Sequence, residues 1–438
     1  MFKGYKEFFF QDLIIKKRAV IYKMARYQKP DGTYICAKLP PETGGGHFGP
    51  QLKSYVIALM SAGNMTQQKI HEHLLSLEIQ ISAGEINNII SGVADTLDEE
   101  CEDVFTAGIT TAQELRADDT GARHKGKNGV CTVIQNDFFA YFSSTNSKSR
   151  TNFLTILRGR RNTNFVLNGV AVDYINRFEP KSEIVAFLEK NAGVQCTSEE
   201  AWNKLLADHN INAETTGKNT LKIVKEGALL GAAIANGLSI NAIILSDGAQ
   251  QFKILLHALC WIHAERIFKK IIPSNDAEKQ ELDRIASDVW VFYKQLKEFK
   301  QNPNPDQKDY FSAEFDRIFT RPFVSDQISM ALALTRQKKD ELLLVLDYPF
   351  IDLHNNTTES AIRTYVTKRK ISGSTRSDAG RRARDIITSL DKTCRKYGIS
   401  LFHFLSDRLS KRNQIPYLPD LIRQKASSSK LSPPTTSA

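Results

Sequence analysis

The run "INAIILSDG" (residues 240–248) limits the possible folds of this chain more than any other stretch. Its apolar, β-branched side chains lie between helical segments, and it stops on Ser-Asp-Gly. A buried strand of a parallel sheet reads this way and delivers its last carboxylate, Asp247, to the sheet edge. Upstream, "ELRAD" (114–118), "GVCTVIQ" (129–135) and "FFAYFSS" (138–144) read as three further strands, the last two flanking an "ND" turn. Residues 150–238 are helical in pattern, as are the strongly charged residues 252–346, which are broken by "NPNPDQ" (302–307). In "YPFIDLHNNTTESAIRTYV" (348–366), Thr358 or Asn356 can cap a helix through Glu359, Ile362 and Arg363.

Length and composition narrow the class. A chain of 438 residues buries a large core and predicts two or three domains. No apolar run reaches the ~18 residues of a membrane span, and the N-terminus has no cleavable small-residue site, so no secretory signal is expected. Six cysteines scatter at 36, 101, 131, 196, 260 and 394 without a Cys-x-x-Cys pair. Reduced thiols in a cytoplasmic protein follow from that pattern. Net charge is +10. From Arg363 to Arg412, 14 residues are Lys or Arg against four aspartates (378, 385, 391, 407), so this one segment matches the surplus of the whole chain. A concentrated basic stretch is the footprint of nucleic-acid binding, with a solvated helical face as the alternative.

Ahead of the strands, residues 1–50 read as an irregular to β segment closing on the linker "PPETGGGHFGP". Within 51–110, "TQQKIHEHLLSL" places Ile70, Leu74 and Leu77 on one stripe, and Ser82 with Glu85 forms a capping box opening a second helix, Ser82–Val93. This pair predicts a helix-turn-helix-like DNA-binding region or a plain helical hairpin. The tail "ASSSKLSPPTTSA" is low in complexity, and disorder is expected over 413–438.

Asp118 and Asp119 stand side by side in "ADDTG" at the end of the first strand. Neighbours on a strand point to opposite faces, so the two cannot easily share one metal. Acids at two strand ends and on a late helix can converge to hold Mg²⁺, which prefers hard oxygen ligands. The Cys-x-x-His of "CWIH" (260–263) has the spacing of half a zinc site, but no second pair stands nearby in sequence. His257 reads as a packed core histidine.

Three blocks, "ADDTG", "IILSDGAQQF…HALCWIHAERIF" and "NNTTESAIRTYVTKRKISGS…GRRARDIITSLDKTCRKYGI", resemble the transposases of the insertion sequence 66 family, in the same order. The resemblance covers roughly residues 50–410. It implies a DDE transposase of a bacterial insertion sequence with an RNase H-like α/β catalytic core, a mixed five-stranded sheet flanked by helices. That core is expected over 111–263 and 347–412, with a helical insertion at 150–238 and a second, the α-helical insertion domain, at 264–346. The resemblance implies Asp118, Asp247 and Glu359 as catalytic residues and metal ligands for two Mg²⁺ (or Mn²⁺) ions. It further implies DNA contacts by Arg363, Lys368, Arg369, Lys370, Arg376, Arg381 and Arg382, and supporting roles for Asp119, Cys260, His263, Asn355 and Asn356. The expected partners are DNA at the element ends and target, a homo-oligomer, and accessory element-encoded proteins. The expected location is the bacterial cytoplasm, near the nucleoid. Where the family has Glu, this chain has Asp119; where it has an Asp before the paired asparagines, this chain has His354; and Asp247 follows Asp118 by 129 positions, farther than the family pattern. A related nuclease without strand transfer and a catalytically silent DNA-binding remnant are the other readings.

Overall fold

The computed structural model of the chain describes residues 1–40, 43, 46–321, 323 and 325–431. Two compact units emerge: Met1–Asp95 with Ser400–Ile415, and Thr96–Ile399 with the chain from Pro416 onward. No described helix is long and apolar enough to cross a membrane.

In the first unit, an exposed hairpin pairs Arg26–Gln28 with Tyr34–Cys36. Two short helices follow, α1 (Pro50–Ser61) and α2 (Gln67–Ser76), and then the start of α3 (Ala83–Thr111). The helix Leu401–Leu409 packs against α1. Local capping explains where α2 and α3 begin. Thr66 Oγ1 accepts from Lys69 N (3.3 Å), and Ser82 Oγ accepts from Glu85 N (3.1 Å). Ile70 and Leu74 are buried, as the stripe requires. The second helix, however, does not stop at Val93. Buried Val93, Leu97, Cys101 and Val104 continue the helical spacing, so α3 runs 29 residues. It carries no Lys or Arg between Ser82 and Thr111, so phosphate contacts have no cation to rest on along it.

The second unit is built on a mixed five-stranded sheet. Its strands are β1 (Glu114–His124), β2 (Lys127–Gln135), β3 (Ala140–Thr145), β4 (Ile243–Ser246) and β5 (Leu256–Leu259). They are ordered β3-β2-β1-β4-β5, with β1–β3 antiparallel and β1, β4 and β5 parallel. β1 runs six residues past the "ELRAD" segment. Lys125 (φ 49°) and Gly126 (φ 77°) form a tight two-residue turn that lets the hairpin extend to the pair His124–Lys127. The four-residue β5 lies inside "HALCWIH" and is too short to leave a pattern of its own.

Helices cover the sheet. Between β3 and β4 come α4 (Arg150–Arg158), three shorter helices and α5 (Lys218–Ala235). This helical stretch also contains a two-stranded ribbon, Phe165–Val166 with Gln195–Cys196. After β5 follow α6 (Trp261–Lys269) and the helices between Asp276 and Leu346. Those helices share one core with the sheet. Leu245, Leu259 and Trp261 belong to the same buried cluster as Phe292, Leu296 and Phe315. The residues 264–346 are therefore packed onto the sheet's own core rather than around a separate one. Next come α7 (Asn356–Ser372) and α8 (Asp378–Lys396). Ala361, Ile362 and Tyr365 of α7 pack on Cys131, Val133 and Phe142 of the sheet.

The expected disordered tail needs correction. Leu418–Leu431 is a helix, α9, because Leu418, Ile422 and Ala426 recur every fourth residue and are all buried. Positions 432–438 lie outside the described residues.

Candidate active site

Each acid arrives by a different element. Asp118 lies on β1 just beyond its last parallel pair with β4, Arg116 with Leu245. Asp247 is the first residue after β4. Glu359 sits in the first turn of α7. Asp118 is half-buried; burial, reinforced by repulsion from Asp247, Asp119 and Glu359, pushes its carboxyl up to about 7, against the pull of the Asp119 N–H (2.7 Å). Asp247 and Glu359 thus both lie within electrostatic reach of Asp118.

Asn355 links two of the elements. Its Nδ2 donates to the Ala117 carbonyl (3.0 Å), one residue before Asp118, and its backbone carbonyl accepts from Glu359 N (3.0 Å). Its own N–H donates to Cys260 Sγ (3.3 Å), so buried Cys260 is a packing and hydrogen-bonding partner here. Two more ties join β1 to the α7 region. Arg369 Nη1 donates to the Gly121 carbonyl, and Thr375 N donates to the Arg123 carbonyl (3.1 Å). Beneath them, Arg116 joins Glu114 (2.9 Å), Asp137 (3.0 Å) and Asp352 (2.9 Å) and donates to Thr357 Oγ1 (3.1 Å).

Two guanidinium groups and a histidine lie near Glu359. Arg266 Nη1 is 3.2 Å from its Oε1, His263 Nε2 is 3.5 Å away, and Arg363 Nη2 is 3.8 Å from Oε2. Burial lowers the His263 pKa, and its Nε2 accepts from Arg266 Nη1 (3.2 Å). The neutral ring thus carries its proton on Nδ1, which is buried without a partner. Asp119 points elsewhere: Lys148 Nζ (3.0 Å) and Gln251 Nε2 (2.5 Å) hold its two oxygens. It thereby straps the Asp247 loop to the segment after β3. His257 is buried, as expected, but works as a link, its Nε2 2.8 Å from Ser246 Oγ and its Nδ1 2.8 Å from Glu341 Oε1.

The expected DNA contacts divide. Arg363, Lys370, Arg376 and Arg382 are exposed, as is Asn356. Arg382 is paired with Asp98 (2.5 Å), and Arg381 bonds Asn146 (3.2 Å) and Asp378 (3.4 Å). Lys368 departs from expectation. It is buried, burial lowers its pKa to about 8, and its Nζ donates to Thr388 Oγ1 (3.4 Å). From there it cannot reach a phosphate. Asp385 and Asp391, two acids of α8 within the basic segment, are buried too, so α8 does not present all of its charges to solvent. Sequence reasoning missed Lys148, Gln251, Arg266 and Arg116. Arg266 lies within a quoted motif, but nothing in its spacing names its partner.

Among the described residues, no three Asp, Glu, His or Cys side chains converge as a ready metal cage. The donor chemistry nonetheless fits a hard divalent ion. Asp247 and Glu359 both repel the Asp118 carboxylate, and Asn355 Oδ1 is buried without a hydrogen-bond donor.

A family model described as "Transposase IS66 family" matches residues 228–383. That span contains Asp247, Cys260, His263, Arg266, Asn355 and Glu359, while Asp118 lies upstream of it. The chain is also 37% identical over 321 residues to the uncharacterized protein y4jO of Sinorhizobium fredii (strain NBRC 101917 / NGR234); the match takes in 73% of this chain and 99% of that protein.

Proposed function

The chain belongs to the IS66 family of transposases, and we propose from this that it cuts and joins DNA by DDE phosphoryl transfer on an RNase H-like core. The position of Asp118 carries the reading: Asn355 ties its strand to the Glu359 helix, and Asp247 and Glu359 act on it electrostatically, an arrangement costly to a fold and useful to a cation. The strand order β3-β2-β1-β4-β5, with an acid within β1, another just after β4 and a third on α7, supports it.

Divalent metal held by Asp118, Asp247 and Glu359, Mg²⁺ or Mn²⁺, would supply the Lewis acidity that activates an attacking hydroxyl and steadies the leaving oxygen. The rest falls to the chain. Asn355 fixes the distance between the Asp118 strand and the Glu359 helix. Arg266 and Arg363, beside Glu359, offer guanidinium groups to a phosphodiester once that carboxylate is otherwise engaged. Lys370 and Arg376 lie exposed beyond the third acid, where they serve a DNA backbone.

Mg²⁺-dependent cleavage and strand transfer on terminal-repeat DNA, wild type against Asp247→Asn, tests the reading. Both activities in the wild type and neither in the variant are expected. Cutting without joining would identify a nuclease, and binding without cutting a silent DNA-binding remnant.

A further inference from the structure

Beside the loop carrying Asp247 lies a cavity of about 430 Å³, lined in part by Arg150, Tyr174, Arg177, Phe178, Lys253 and Asp340. Arg150 Nη2 donates to the Gln250 carbonyl (2.9 Å), and neighbouring Gln251 donates to Asp119 Oδ2 (2.5 Å). His257, also in the lining, touches Ser246, the residue before Asp247.

The lining has three chemistries. Phe178 is exposed, and its ring lies 5.4 Å from that of Tyr174. Arg150 Nη1 reaches Tyr174 Oη (3.3 Å), but its Nε is buried without a partner, and among the described residues the Arg177 side chain makes no ion pair or hydrogen bond. Lys253 is engaged by Glu341 (2.6 Å), whereas Asp340 is exposed and, among the described residues, makes no ion pair. The exposed Phe178 ring, the exposed Arg177 guanidinium and the exposed Asp340 carboxylate match one ligand class, a nucleotide. The base stacks on the ring, its phosphate meets the guanidinium, and an exocyclic amine meets the carboxylate.

We propose that this cavity receives one unstacked nucleotide of the DNA strand whose phosphodiester lies over the acids. This rests on the DNA-processing reading above. Lys148, which holds Asp119, and Arg150, two positions on, extend a cationic path from the acids to the cavity mouth.

A single strand of about ten nucleotides with one 2-aminopurine, titrated against the full chain in EDTA, tests this beside a duplex control. Wild-type binding should quench the 2-aminopurine. Phe178→Ala should weaken strand binding by about tenfold and remove the quench. Arg177→Gln should reduce the slope of log K against log salt by about 0.7. Duplex affinity should change little in either variant. Both side chains are exposed, so neither substitution opens the core. Variants that bind and quench the strand as the wild type does would overturn the proposal while duplex binding left the functional reading standing. A wild type that bound neither strand nor duplex would overturn both.

Discussion

Replacing Asn355 with Ala separates holding the site together from holding the fold together. The substitution withdraws the Nδ2 donor from the Ala117 carbonyl, a bond made at zero exposure. A buried acceptor deprived of its donor costs about 1–3 kcal/mol. The same substitution removes Asn355 Oδ1, a buried acceptor that has no partner, and relieves a cost of the same order. The two largely offset, so the net loss of stability should be about 1 kcal/mol or less. Activity has no such offset. Without the tie, the Asp118 strand loses its hydrogen bond nearest the acids to the start of α7, leaving the Arg116–Thr357 bond (3.1 Å) at that end, and an error near 1 Å between catalytic groups costs about a hundredfold in rate. Urea unfolding and Mg²⁺-dependent cleavage on the same preparation read both effects. Wild-type cleavage from folded Asn355→Ala, or a rate that falls only with the fraction unfolded, would refute the positioning role.

Asp118→Asn should abolish cleavage, whereas Asp119→Asn, which keeps an acceptor for one of Lys148 and Gln251, should slow it by about tenfold or less in a steady-state assay; equal losses in folded protein would undo the division between the two. For DNA contacts, Lys370→Ala should lower the salt slope of duplex binding by about 0.9, while Lys368→Met, at a buried position, should leave it unchanged in fluorescence anisotropy titrations. Asp385 supplies a pH test. Burial raises its carboxyl to about 7 from an ordinary 3.8, with Ser144 donating to both oxygens (2.8 Å each). A raised carboxyl contributes stability that is present below the unfolded value and lost as pH climbs through the folded one. Asp385→Asn should therefore gain stability relative to wild type between about pH 4 and 7 and hold that gain above it, measured by chemical denaturation at several pH values.

The strand that delivers Asp247 was legible because its apolar, β-branched run ends abruptly there, whereas β1 was legible only as far as Asp118, since the polar residues beyond it hide its extension to His124. The first turn of α7 was legible from the Asn and Thr residues ahead of Glu359. The length of α3 was not, since a capping box marks a start and nothing after Val93 marks a stop. β5 was hidden because four residues give no period to detect. Burial of Lys368 depends on α8 lying against α7, a tertiary fact that composition cannot carry. The α9 helix had a signal, Leu418, Ile422 and Ala426 at helical spacing, overshadowed by the serines that follow. Arg266 was in plain sight, but its partner Glu359 is 93 positions away, and single-sequence spacing is blind at that range.

The ties between β1 and the α7 region are made at Ala117, Gly121 and Arg123, two residues apart or more, along one edge of the hairpin. A strand and a helix riveted at three levels behave as a single stiff plate. Asp118 and Glu359 therefore keep a fixed separation, whatever enters between them. Asp247 stands apart from this plate on the 247–253 loop, steadied through Gln251 and Asp119. Compliance at the site is thus one-sided, with two jaws fixed and the third hinged. Amide exchange across 247–253 should respond to an ion or a strand entering the site, while the amides of β1 and α7 stay protected.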